Sequence, residues 1–369
     1  MTPSSPAPPF NHADPGCLGV LLINLGTPEA PTAPAIRRYL REFLWDRRVV
    51  ELPRPLWWLI LNGFVLPFRP ARLAPAYQRI WTDQGSPLLA ISRRQRNALQ
   101  DALASRLSGP FRVVLGMRYG QPSIPQALRE LQAASVRRLL VLPLYPQYSA
   151  TTTATAFDAL AAELGRWRWI PALRWVQHYP DHPGYLAALA ESVRRFQAQH
   201  GVPERLLMSF HGLPRRTLAA GDPYFCDCHK TARLLAAALD LPSDRWALSF
   251  QSRFGREEWL RPYTDETLRD WPQAGIKRVQ VICPGFSADC LETLEEVAIH
   301  NRTLFLAAGG EDYQAIPCLN DHPAHIQALA DLVIQETQGW PETAPIIPSD
   351  KPDTCPAECQ RRAMAAGAP

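Results

Sequence analysis

The most constraining feature of this 369-residue chain is a strand–turn–helix pattern that occurs twice. Leu22-Ile23-Asn24-Leu25-Gly26-Thr27-Pro28 resembles Leu207-Met208-Ser209-Phe210-His211-Gly212-Leu213-Pro214, and Pro146-Gln147-Tyr148-Ser149-Ala150 matches Pro284-Gly285-Phe286-Ser287-Ala288. In each copy a short apolar run reads as a buried parallel strand, and glycine with proline forces a turn at its carboxyl end. Between these points strands alternate with helical patterns, which implies parallel sheets with helices on both faces. The repeat argues for two domains of like construction. The expected fold is α/β: two similar Rossmann-like domains, each a parallel sheet flanked by helices.

Strands are expected at 19–24, 112–117, 138–142, 173–177, 205–209, 246–251, 279–282 and 313–316. Helices are expected at 33–44, 92–107, 124–134, from 153, and at 184–199, 224–239, 264–271, 289–308 and 322–338. Residues 1–16 read as a disordered leader and 340–369, rich in proline and alanine, as a disordered tail. The first domain spans 17–150 and is joined by helix 322–338; the second spans 151–319 and carries His211 and Glu292. From Gly26 to Pro146 is 120 residues, but from Gly212 to Pro284 only 72, so the first half holds 48 more. The stretch 45–85 accounts for them. It contains Trp57, Trp58, Phe64, Phe68 and many prolines, and reads as an irregular apolar lip. Long additions of this kind usually serve function, and an apolar lip beside a crevice suits a large, flat, greasy ligand.

Composition narrows the function classes. A net charge of +4, with basic residues scattered in pairs, gives no nucleic-acid surface. The apolar stretch 56–68 is broken by Asn62, Gly63 and Pro67 and is too short to span a bilayer. No secretory signal opens the chain, so its eight cysteines are expected as thiols in a reducing cytoplasm.

Two places carry chemistry. His211 leaves the carboxyl end of strand 205–209, where ligands bind in open α/β sheets, and its ring nitrogen can take a proton or bind a metal near neutral pH. The same pattern also fits a histidine satisfied by its own turn. The second place is the helix opening Ser287-Ala288-Asp289-Cys290-Leu291-Glu292-Thr293-Leu294-Glu295-Glu296. Glu292 and Glu296, four apart, share a helix face, and Asp289 is placed one turn earlier on the same side. Carboxylates in line repel unless a cation or protons relieve them, and with an imidazole they suit a divalent metal. An ordinary acidic first turn, favoured by the helix dipole, reads the same way.

Several short motifs occur together and in order: Asn24-Leu25-Gly26-Thr27-Pro28, Gly85-Ser86-Pro87, Gly116-Met117-Arg118-Tyr119, Tyr145-Pro146-Gln147-Tyr148-Ser149, Ser209-Phe210-His211-Gly212-Leu213-Pro214, Gln251-Ser252-Arg253 and Glu292-Thr293-Leu294. Over residues 18–338 the chain resembles the ferrochelatases, which insert ferrous iron into protoporphyrin IX. The resemblance implies a chelatase-type pair of domains around a porphyrin cleft. It implies His211 and Glu292 as iron- and proton-handling residues, both metal ligands, with Glu296 the next acid in the row. It implies a substrate wall that includes Leu25, Phe64, Phe68, Arg69, Arg118, Tyr119, Tyr179 and Trp259. Fe²⁺ and protoporphyrin IX are then the partners, protohaem and two protons the products, and no prosthetic group is required. The lip at 56–68 could also touch the inner face of the cell membrane.

Two departures matter. Many relatives place a histidine just before the Leu-Glu pair; here it is Cys290, so metal delivery by that side chain would go through sulfur. Some relatives hold an iron–sulfur cluster, but here Ala150 takes the internal ligand position and the tail supplies only Cys355 and Cys359. No cluster of that type is expected; Cys226 and Cys228 joined with Cys355 and Cys359 would be a different arrangement, whose spacing fits no common pattern. The rival functions are a chelatase for coproporphyrin III or cobalt, and a haem or iron carrier that would leave Glu292 and Glu296 idle.

Overall fold

Among the described residues eight strands form two four-stranded sheets, each wholly parallel, with the same strand order in each half. The computed structural model describes residues 16–255, 257–343 and 355–367. The first sheet, in the order β2-β1-β3-β4, contains β1 (Cys17–Gly26), β2 (Phe111–Tyr119), β3 (Val136–Pro143) and β4 (Ala172–Trp175). The second, in the order β6-β5-β7-β8, contains β5 (Arg205–His211), β6 (Trp246–Gln251), β7 (Arg278–Ile282) and β8 (Asp312–Ala315). Each sheet begins in its interior, runs one strand outward, then crosses back. The reversal opens a crevice beyond β1 and β3 in one sheet and beyond β5 and β7 in the other, where open α/β sheets bind ligands.

The helices follow in chain order. They are α1 (Ala33–Trp45), α2 (Arg54–Ile60), α3 (Leu66–Ile80), α4 (Pro87–Ala104), α5 (Ile124–Ala133), α6 (Thr155–Leu164) and α7 (Pro183–His200). After these come α8 (Arg215–Ala219), α9 (Tyr224–Ala238), α10 (Thr264–Gln273), α11 (Arg302–Ala307), α12 (Pro323–Glu336) and α13 (Cys355–Ala365). Residues from α4, α7, α9 and α12 fill one continuous core between the two sheets, with Leu99, Val193, Cys228 and Leu329 among its buried members. Helices α5 and α6 cover the outer face of the first sheet, and α10 with α11 that of the second. Helix α12 packs on both α4 and α7, so it ties the two halves together.

Four expectations are corrected. Residues 151–175 belong to the first sheet: α6 packs Ala156, Leu160 and Leu164 on it, and β4 pairs with β3. The first domain therefore runs past 150. The segment 45–85 is largely helical, not irregular. A π-helical turn (Leu61–Val65) runs straight into α3, which carries Pro70 and Pro75 in its interior, and Pro55 falls in the first turn of α2, where no N–H partner is lost. Helix α4 begins at Pro87, five residues before the expected start, for the same reason. The tail is also partly built. Trp340 and Glu342 are buried, Arg138 grips Glu342 through both Nε and Nη2, and α13 follows at Cys355. Proline and alanine counts do not reveal these anchors. The expected disorder of 1–15, 344–354 and 368–369 lies outside the described residues.

Candidate active site

His211 ends β5 and pairs in register with Gln251 of β6. The next residue, Gly212, donates its N–H to the Gln251 carbonyl at 2.7 Å. A Cβ on Gly212 would meet that carbonyl oxygen at 2.8 Å and the Trp259 ring at 3.0 Å, so only glycine lets the strand close so tightly against β6. The half-buried His211 ring places Nδ1 2.7 Å from the Gly212 carbonyl. A carbonyl oxygen only accepts, so Nδ1 carries the hydrogen. In the neutral ring Nε2 then holds the free lone pair. The turn satisfies one nitrogen and thereby presents the other.

Beyond β7 the chain turns through Pro284–Asp289 and enters a ten-residue π-helix, Glu292–Asn301, before α11. Sequence periodicity predicts one α-helix from 289 to 308. The π-helix widens the turn, yet Glu292 and Glu296 stay on nearly the same face. Glu296 is locked: Ser252 N–H donates to Oε1 at 2.8 Å and the Ser252 hydroxyl donates to Oε2. Burial pushes the Glu296 carboxyl above its usual range. The Ser252 hydrogen bonds and the His211 ring oppose that shift, and Glu292 reinforces it. Glu292 points to the first half, where its charge adds to burial in raising the hydroxyls of Tyr39 on α1 and Tyr77 on α3. The two acids thus divide: Glu296 is turned to His211, Glu292 to the lip.

Asp289 does not join that row. It is buried, with Oδ1 accepting from the Thr293 hydroxyl at 2.9 Å and Oδ2 from Asn320 Nδ2 at 2.7 Å. It fastens the helix start, which is the commonplace reading of an acid in this position. Cys290 is likewise packed against Leu88 and Ile91 of α4, and burial drives its thiol well up, which disfavours the thiolate a metal requires. Cys228 is buried with its thiol raised in the same way, while Cys226 is exposed. Among the described residues no three His, Cys, Asp or Glu side chains gather in a geometry that holds a metal ion.

The lip stands opposite. Trp57, Leu61 and Leu66 are buried with Ile36, Leu40 and Tyr119, and half-buried Leu25 and Leu291 pack on this cluster. Phe64, 71% exposed, and Phe68 project outward with Leu56, Trp58 and Leu59. The Arg69 guanidinium lies 4.5 Å over the Phe254 ring, linking α3 to the loop after β6; burial lowers its pKa, and it has no carboxylate partner among the described residues. Arg79 pairs with Glu295, which ties the far end of α3 to the π-helix. Trp259, half-buried, packs over Gly212 and donates Nε1–H to the Phe254 carbonyl at 2.9 Å. Arg118 and Tyr119 are both engaged by Asp46; the Tyr119 hydroxyl donates to it at 3.0 Å and is otherwise buried. Tyr179 is set deeper than a cleft wall, in the shared core, with its hydroxyl buried and unpartnered. A broad hollow lined by Arg205, Arg245 and Arg278 lies at the amino end of the second sheet, opposite His211.

The structure therefore brings His211, Glu292 and Glu296 together with Arg69 and Trp259, and it commits Arg118 and Tyr119 to Asp46. Sequence reasoning overlooks Ser252, Tyr39 and Tyr77. Ser252 lay in plain view within Gln251-Ser252-Arg253, but nothing in the sequence links it to an acid 44 residues away.

Known proteins share the fold that carries these residues. The solved structure of SirB from Bacillus subtilis with Fe³⁺ superposes with a TM-score of 0.51 at 11% identity, covering 87% of this chain and 96% of that one. That likeness defines the class: a two-domain α/β protein of the chelatase fold. The ferrochelatase family profile matches residues 17–337. The ferrochelatase of Thioalkalivibrio sulfidiphilus (strain HL-EbGR7) is 54% identical over 359 residues, 97% of each chain, and that of Nitrosococcus oceani is 59% identical over 333 residues, 90% of each. The chain belongs to the ferrochelatase family, lyases that insert iron into a porphyrin in haem biosynthesis.

Proposed function

We propose that this protein inserts Fe²⁺ into protoporphyrin IX, forming protohaem and releasing two protons. The observation that carries the reading is the arrangement of His211 Nε2 and Glu296 on one side of an apolar lip whose Arg69 has no carboxylate partner among the described residues. A flat porphyrin hides its nitrogen lone pairs in the ring centre, blocked by two N–H groups. Bending the ring bares lone pairs on one face and N–H groups on the other. Phe64, Phe68 and Leu25 supply apolar wall, Trp259 an aromatic face, and Arg69 a desolvated cation for a propionate. Tyr119 and Arg118 stiffen the first-half side, and Tyr179 supports it from beneath.

His211 Nε2 takes a proton from the ring and, once free, offers the same lone pair to iron. Glu296, its carboxyl raised above the usual range by burial, accepts the proton onward in its carboxylate form, and Glu292 faces the metal and the lip. Positioned general bases of this kind contribute roughly 10²–10⁴ in rate. Iron is substrate here, and the protein works without a prosthetic group or iron–sulfur cluster. It acts in the cytoplasm, with exposed Leu56, Trp58, Leu59, Phe64 and Phe68 resting on the inner face of the cell membrane. No helix among the described residues is long and apolar enough to cross a membrane.

An anaerobic assay decides the function. Protoporphyrin IX with Fe²⁺ should give haem over many turnovers, faster than coproporphyrin III with Fe²⁺ or protoporphyrin with Co²⁺. Preference for coproporphyrin would move the substrate, and stoichiometric binding without turnover would make the protein a carrier. Sedimentation with anionic vesicles should retain the wild type and release Phe64→Ser with Phe68→Ser. Iron and acid-labile sulfide in the purified protein would contradict the absence of a cluster.

A further inference from the structure

Helix α4 belongs to the first half, yet its buried face grips the turn that launches the π-helix of the second. Leu88 and Ile91 pack on Ala288 and Cys290, and one turn further along lies Gln95, fully buried. Gln95 Nε2 donates to the Ser287 carbonyl at 2.9 Å and to the Asn320 carbonyl at 3.0 Å, while its Oε1 is buried without a partner. An unpartnered buried acceptor is costly. It is borne here because the amide must turn its nitrogen to two carbonyl oxygens at once.

Asn320 extends the link. Its backbone sits at φ 49°, in the left-handed region. Its Oδ1 accepts from Asp289 N at 2.8 Å, its Nδ2 donates to Asp289 Oδ2 at 2.7 Å, and its carbonyl also accepts from His325 Nδ1 at 2.7 Å. Asp289 in turn accepts from Thr293, inside the π-helix. An unbroken hydrogen-bonded chain thus runs from α4 through Asn320 and Asp289 to the residue beside Glu292.

We propose that Gln95, acting through Asn320 and Asp289, is a positioning residue for iron insertion: it fixes the π-helix so that Glu292 and Glu296 stand against His211. This rests on the function proposed above. It assigns the first half a part in placing acids it does not carry, and it predicts loss in turnover rather than in porphyrin binding, because the lip is untouched.

The test compares Gln95→Met, which keeps volume and loses both hydrogen bonds, with Asn320→Gly, which keeps the left-handed backbone and loses the clamp on Asp289. A third variant, Leu103→Ala, weakens the same helix in the core away from the turn. The first two should lower kcat roughly 10-fold, a factor of a few for each net hydrogen bond lost, with porphyrin KM within about twofold. Amide hydrogen exchange over 287–296 should quicken in both. Leu103→Ala should lower Tm yet leave kcat and exchange at 287–296 near wild type. Equal kcat loss in Leu103→Ala, or unchanged exchange in Gln95→Met, overturns the proposal. Should Gln95→Met fail to fold, Asn320→Gly carries the same readouts. If the wild type makes no haem, the proposed function falls, while exchange still decides whether the link holds the π-helix.

Discussion

Replacing Ser252 with alanine probes the active site through a single atom. Ser252 holds Glu296 by two bonds, one from its N–H and one from its hydroxyl, and sits at φ 66°, a backbone that a non-glycine residue adopts at a cost of about 1–3 kcal/mol. Alanine keeps the backbone and the N–H bond and deletes the hydroxyl bond. A hydrogen bond to a charged group is worth about 1.5–3 kcal/mol, and each 1.4 kcal/mol is a factor of ten. Because the N–H bond survives and Glu296 is only half-buried, the lower end applies: kcat at neutral pH should fall about 10-fold. The pH profile gives the sign. The Ser252 bonds favour the carboxylate, whereas burial and Glu292 favour the neutral acid. Losing one bond leaves Glu296 protonated to higher pH, so the acidic limb of kcat moves upward and the deficit shrinks as pH rises. Steady-state haem formation between pH 6 and 9 measures both effects. A uniform loss with an unmoved limb would refute the assignment of Glu296 as a proton acceptor oriented by Ser252.

Other outcomes follow from the same geometry. His211→Ala should fold and lose at least ~10²-fold in turnover, as for removal of a general base; near-normal turnover would sink its role. Phe64→Ser with Phe68→Ser should raise porphyrin KM while circular dichroism stays unchanged, and an unaltered KM would remove the lip from the substrate wall. Glu292→Gln should be a more severe loss than Glu296→Gln, and the double variant should lose less than the product of the two, since groups acting together are non-additive; strict additivity would assign them to separate steps. Glu296→Gln should also flatten stability against pH. With its folded pKa above the unfolded value, the acid contributes stability that is full below the ordinary carboxyl range and is lost as pH rises through the raised value. Thermal unfolding at pH 5 and pH 8 should show a smaller difference for the glutamine variant than for wild type.

The fold was legible wherever periodicity and turn chemistry agreed. Leu206-Leu207-Met208 and Val279–Ile282 are buried on both faces, so they read as apolar runs closed by Gly-Pro turns, and the structure places strands there. Legibility failed where local signals yield to packing. The prolines of 53–75 suggest broken structure, yet the helices they interrupt hold Trp57, Leu61 and Tyr77 against α1. The short, exposed β4 looks like the start of a new unit, because pairing with β3 is a long-range choice that no local window contains. Within the site, His211 and the two glutamates carried a local signal. Ser252 and Gln95 did not, since their partners are remote in sequence and each residue alone is an unremarkable polar side chain.

The duplicated pattern explains how one topology yields two different walls. Gly26 and Gly212 hold equivalent places: a Cβ on Gly26, at φ 112°, would fall 1.8 Å from the Tyr119 carbonyl oxygen, and one on Gly212 would fall 2.8 Å from that of Gln251. In each half the outward strand, β2 or β6, lies too close for any side chain there. The residue just before the glycine therefore leaves the sheet at the same point of the crevice. In the first half it is Leu25, packed with the lip cluster; in the second it is His211, with Nε2 free. One backbone position thus presents an aliphatic surface from one half and a base from the other. The 48 additional residues then enlarge the apolar half alone, and Glu292 and Glu296 arm the other. Under the proposed function, a ring held against Leu25 faces the half that carries His211, Glu292 and Glu296.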